Sequence, residues 1–369
     1  MNTVLRGLSW DHPRGHPPLI SASSLYRETR PEVSIEWETR SVADFASGSL
    51  ERYIGAFDLV TIDHPVIGEA VEHNWLVAFD DLLTTEEIRS IQDASIDARL
   101  HLYELHGRTW ALPVDSATHS CAYRNDYLDT PPLDWNGVLE LARTTHRVGV
   151  PMAPMSVAPI FLSLYEHLSE RPWEGDRIAD APAAVAALSE LKALSENLPQ
   201  ECLESGGIGL LRRMALSDDY DYLAFVFGYS TYGRHELGAS ISFGPVPRFR
   251  DGTVLQPVVG GVGIAVLAEA PLAREAADFA SWVCSERVQN GVYVGSGGQP
   301  AARASWFDEH NDALTGGFYT ATRASFDHAY VRPRSARFAQ SQHGIGALVH
   351  AYLTERVTLS DTVDSLGAL

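Results

Sequence analysis

Strands alternate with helices along the first hundred residues, and that order predicts an α/β fold with a largely parallel sheet. Two further observations support it. A chain of 369 residues favours two or three domains over a single core. Hydrophobic residues at 45% and charged residues at 21% are the proportions of a globular chain able to bury a sizeable core.

Val4 to Trp10 reads as a short strand, ended by the loop Asp11-His12-Pro13-Arg14-Gly15. Ser21 to Glu28 is a helix candidate, and Val33 to Glu38 alternates apolar and polar residues with period two, as a half-buried strand does. Phe57 to Ile62 is the next strand, stopped by Asp63-His64-Pro65, with a helix following through Glu72. Thr84 and Glu87 are spaced as a capping box. Gly107 to Asp115 reads as a strand leaving this unit. Helices are expected over Trp135 to Arg143, around Leu188, Leu191, Leu194 and Leu198, and around Ala276, Phe279, Ala280 and Val283. Gly/Pro-rich stretches lie at Gly244 to Gly263 and Gly295 to Pro300.

A formal charge of −20 argues against a nucleic-acid partner, since phosphate would be repelled. No apolar stretch is long enough to span a bilayer, so no membrane insertion is expected. Three scattered cysteines, Cys121, Cys202 and Cys284, show no CxxC spacing and read as buried thiols. The start MNTVLRGLSW, interrupted by Arg6, is no secretory signal. As written, the chain is expected to be cytoplasmic, or periplasmic or extracellular if a signal has been removed.

Several ordered segments carry a family resemblance. They are His106 to Asp115, Tyr123 to Leu128, Pro131 to Trp135, Phe243 to Pro247, Gly260 to Val266, Arg274 to Gln289 and Gly298 to Arg303. Together they resemble the family 1 extracellular solute-binding proteins, the group that includes many sugar-binding components of ABC importers. The resemblance implies an α/β, two-lobed periplasmic-binding-protein-like fold of type II, with hinged lobes around a central ligand cleft. It implies one lobe of residues 1–113 plus 259–298, and another of residues 114–258 plus 299–369 with the C-terminal helices. It also implies binding of a small polar organic ligand (sugar, polyol or hydroxy acid) by domain closure, and an ABC permease partner if the chain is exported.

Ligands of open α/β sheets bind beyond the carboxyl ends of strands. The candidates there are Trp10, Asp11, His12 and Arg14 after the first strand, Asp63 and His64 after the third, and Asp115, Ser116 and His119 after the crossing strand. Tyr229, Tyr232 and Arg234 would face them from the other lobe, with Gly260 and Gly261 at the return hinge. Aspartates accept hydrogen bonds from hydroxyls, aromatic faces cover a sugar ring, and Arg14 or Arg234 could clamp a carboxylate. The same scaffold admits a cytoplasmic enzyme of isomerase or lyase type, with His12, His64, Asp11 and Asp63 as acid–base groups. No metal site is expected: Pro13, Gly15 and Pro17 prevent His12 and His16 from sharing a helix face, and HExxH is absent. No cofactor is expected either, because the stretch Gly228 to Gly233 is too long for a GxSxG elbow and Gly261-Val262-Gly263 lacks a third glycine.

Overall fold

A computed structural model describes residues 3–47, 49–170, 178–234 and 240–369. Strands β1 (Thr3–Trp10), β2 (Val33–Arg40) and β3 (Leu59–Asp63) are parallel, with β1 in the middle. Helix α1 (His16–Thr29) joins β1 to β2, α2 (Val42–Ser47) follows β2, and α3 (Ile67–Glu72) follows β3. Helix α1 begins five residues before the expected Ser21, because a proline in the first turn forfeits no intrahelical hydrogen bond. Strand β4 (Leu76–Val77) precedes α4 (Thr85–Asp93), which carries the expected capping box: the Thr84 amide donates to Glu87 at 2.8 Å and the Glu87 amide to Thr84 Oγ1 at 3.3 Å.

The crossing strand differs from expectation. Residues 107–110 lie in and beside a small hairpin of β5 (Glu104–Leu105) and β6 (Arg108–Thr109), and the crossing strand β7 runs from Leu112 to Arg124. Its polar run Asp115-Ser-Ala-Thr-His-Ser120 hides it from a period-two reading, because the strand is buried along nearly its whole length.

Beyond β7 come α5 (Trp135–Thr145), β8 (Val148–Gly149), α6 (Pro154–Leu168), α7 (Ala181–Ser195) and α8 (Gly207–Leu216). Then follow β9 (Tyr222–Phe227), α9 (Ser230–Gly233), β10 (Ile241–Gly244), β11 (Val259–Leu267) and α10 (Ala273–Val283). Shorter helices and two longer ones, Phe338–Leu353 and Leu359–Ala368, complete the chain.

The strand order is β2-β1-β3-β11-β7-β9-β8, with β10 also on β7 and β4 on β11. The sheet is mixed rather than largely parallel, since β11 runs antiparallel to both β3 and β7, and β7 antiparallel to β9 and β10. The physical reason is the return of β11 into the middle of the first unit, which alternation of early strands and helices does not reveal. The first part of β7 pairs with β11 and the later part with β9 and β10, so this one strand belongs to two sheets. Each has its own core. One gathers Leu5, Leu19, Leu59, Ile264 and Phe279, and the other Trp135, Phe161, Leu188, Tyr222 and Phe338. A third cluster, including Val60, Tyr103, Phe243, Trp306 and Phe318, packs around the crossing. All three cysteines are buried and free. Among the described residues no helix is long and apolar enough to cross a membrane.

At the crossing, Gly260 and Gly261 pair with Ala117 and Ser116. Gly261 has φ +141°, and a Cβ there would lie 2.6 Å from the carbonyl oxygen of Asp115. Gly261→Ala is therefore expected to lower stability by about 1–3 kcal/mol, the scale of a strained backbone position, measured by urea unfolding. An unchanged midpoint would show that the crossing tolerates a side chain.

Candidate functional site

The loop after β1 is fixed by its own residues. The backbone N–H of Arg14 donates to Nδ1 of His12 at 3.0 Å, and the His12 ring stacks on Trp10 with centroids 4.9 Å apart. Phe45 of α2 also stacks on Trp10, at 5.2 Å, and Tyr229 meets His12 edge-on at 5.0 Å. Trp10 is thus nearly buried, contributing one wall rather than an open platform.

Arg14 does not reach outward. Its guanidinium grips Asp115 with two nitrogens, Nε at 2.7 Å from Oδ2 and Nη2 against Oδ1, and Nη1 donates to the Gly228 carbonyl at 2.9 Å. The group lies over the Tyr229 ring, 4.6 Å from its centroid. The clamp expected for a ligand carboxylate is therefore engaged within the protein, where it joins the β1 loop, β7 and the end of β9. Ser116 is also engaged, donating to Asp97 at 2.6 Å. Gln299 donates to the Ser116 carbonyl at 2.8 Å and accepts from the Ser230 amide at 2.9 Å, so the crossing strand at Ser116 is answered from neighbouring loops.

Between the two sheets lies a cavity of about 490 Å³. Trp10, Asp63, His119 and Tyr229 line it from among the sequence candidates, and a recess beside it is lined by Trp10, Arg14, Asp63, Tyr229, Gly260 and Gly261. His12, Tyr232 and Arg234 instead line a second cavity of about 640 Å³, which shares Ile208 with the first. Asp115, Ser116 and His64 are buried and line neither cavity, and Asp11 is exposed and lines neither. The proposed acid–base set of His12, His64, Asp11 and Asp63 is thus divided among different surroundings.

Sequence reasoning missed Arg332, Gln342, Phe45, Phe227 and the N-terminus of α8, all of which line the main cavity. Arg332 is 3% exposed. Its Nη1 donates to Gln342 at 3.1 Å, while Nη2 lies 3.4 Å from Asp63, His64 Nδ1 and the Val259 carbonyl. Its Nε has no hydrogen-bond partner among the described residues, and neither has Nδ1 of His119. Burial works against the charge on Asp63, but Arg332 and His64 outweigh it and hold the carboxyl below its usual range. Burial, aided by Arg332, pushes His64 down to about 4 and His119 down to about 3. Burial with Arg14 pushes His12 down to about 4. All three imidazoles are neutral at neutral pH, so the cavity's charges are one carboxylate and one guanidinium. No cluster of three histidine, cysteine or carboxylate residues placed to hold a metal ion occurs among the described residues.

The bacterial extracellular solute-binding protein family model matches residues 39–309, and the chain belongs to that family. Its fold is similar to maltose-bound MalE3 of T. maritima, 18% identical, covering 99% of this chain and 98% of that one, with a TM-score of 0.85. It is also similar to an ABC transporter solute-binding protein of Thermotoga lettingae bound with α-D-tagatose, 15% identical over 100% and 98%, TM-score 0.83. A third is the solute-binding protein of Agrobacterium radiobacter in complex with ribitol, 18% identical over 99% and 97%, TM-score 0.79. No curated protein matches the chain. The expected two-lobed α/β fold is the fold these structures share.

Two predictions follow from the site's electrostatics. Arg14→Met would leave Asp115 buried without its partner and lower stability by about 3–5 kcal/mol, and Arg14→Met/Asp115→Leu would recover much of that loss in chemical unfolding. For His119, the unfolded chain protonates below about 6.5 while the folded imidazole stays neutral to about 3. Its contribution is complete above pH 6.5 and is lost as pH falls toward 3, at about 1.4 kcal/mol per pH unit. His119→Gln should flatten the fall in stability between pH 6 and pH 4; an unchanged slope would mean the ring is solvated.

Proposed function

We propose that this protein binds a small polar organic ligand, a sugar, polyol or hydroxy acid, in the cavity between its lobes and closes over it. The observation that carries this reading is the cavity of about 490 Å³ whose lining brings together the carboxylate of Asp63, the guanidinium of Arg332, the amide of Gln342 and the imidazole of His119. Such a set offers both donors and acceptors, the two kinds of partner that a ligand's hydroxyl groups take. Paired opposite charges suit a neutral, hydroxylated molecule better than a strongly charged one.

The lobes we assign are residues 1–113 plus 259–298 and residues 114–258 plus 299–369. Two separate cores and the sharing of β7 support the division. Solute-binding proteins of similar fold bound to maltose, ribitol and tagatose support the ligand class. An ABC permease is the partner this function calls for, in an extracellular or periplasmic setting. The divided His/Asp set and the neutral imidazoles give the acid–base alternative no comparable support.

Thermal shift against a panel of sugars, alditols and hydroxy acids is expected to find a stabilising ligand, with a smaller radius of gyration by solution scattering when it is bound. Arg332→Met should weaken that ligand at least tenfold, about 1.4 kcal/mol. Failure of every compound to shift the melting temperature would remove the reading.

A further inference from the structure

The charged groups lining the 490 Å³ cavity, Asp63 and Arg332, stand together, 3.4 Å apart. Much of the remaining lining is apolar: Val42 and Phe45 of α2, Met155 and Pro159 of α6, and Phe225 and Phe227 of β9, with Ser156 and residues 206–209 beside them. Phe225 has φ +54° within its strand, a conformation that disfavours a bulky side chain, and backbone strain of this kind persists where the surroundings over-determine it. A single sugar ring held at Asp63 and Arg332 would leave much of the cavity's volume as water against aliphatic and aromatic carbon, which is unfavourable.

We infer that the ligand has two chemically distinct halves: a hydroxylated head held by Asp63, Arg332 and Gln342, and an alkyl or aryl substituent lying between α2 and α6. The class is that of hydrophobic glycosides and their polyol analogues. The head rests on the binding function proposed above; the apolar half does not.

The test compares methyl and phenyl glycosides of glucose, galactose and mannose by titration calorimetry, alongside fluorescence titration with N-phenyl-1-naphthylamine, which has no hydroxylated head. At least one phenyl glycoside is expected to bind tenfold or more tightly than its methyl counterpart, with a more negative heat-capacity change. The naphthylamine is expected to bind saturably at one site. Val42→Asn/Met155→Gln, at two partly exposed positions, should cut the phenyl-to-methyl ratio to about threefold and weaken the naphthylamine at least fivefold. Phenyl and methyl glycosides binding equally would overturn the inference while leaving the binding function intact, and would mean that α2 and α6 meet each other on closure. Naphthylamine uptake lost in the double variant, with no glycoside bound, would support the apolar half and count against the hydroxylated head. If neither probe bound, the inference would be overturned, the binding function itself standing or falling on the wider thermal-shift panel.

Discussion

Burying the Arg14–Asp115 pair where three segments meet sets the terms for the rest of the molecule. The carboxylate stands near the start of β7, the guanidinium at the tip of the β1 loop, and the third contact is the Gly228 carbonyl just past the end of β9. Stripped of water, these groups hold together only if each is answered by another. The same demand recurs along β7: Ser116 is answered by Asp97 and by Gln299, and the Val114 carbonyl by Gln289 at 2.8 Å. A strand this polar can be buried because loops from elsewhere in the chain supply its partners. The close approach of Gly261 to Asp115 belongs to the same arrangement.

The cavity beside this junction follows a different rule. Its charged lining is one opposed pair, Asp63 and Arg332, 3.4 Å apart. Neutral histidines add hydrogen-bonding capacity without adding charge. A lining made this way keeps its charge through modest changes of pH near neutrality.

Much of this was legible in the sequence, and the failures have physical causes. Period-two alternation located β2 and helical spacing located α10, because one side of each packs inward. The ends of β1 and β3 pointed to Trp10 and Asp63 through the general geometry of α/β sheets. The far half of β7 was hidden by its polar content, and Arg14 was misjudged because a sequence does not say that its partner lies 101 residues away. Arg332 sits in Arg332-Pro-Arg334-Ser-Ala-Arg337, a run that reads as solvated surface. Phe45, Met155 and Phe225 carry no signal separating a cavity wall from a core, since both call for the same residue types.

The placement of β11 also bears on how the chain is made. Strand β11 lies between β3 and β7 in the sheet but is synthesised after both, nearly 200 residues later than β3. On the ribosome, the edges of β3 and β7 stay bare until residue 267 has emerged. Open strand edges recruit other strands, including those of neighbouring nascent chains. The first sheet therefore cannot be completed until more than two-thirds of the chain has been made.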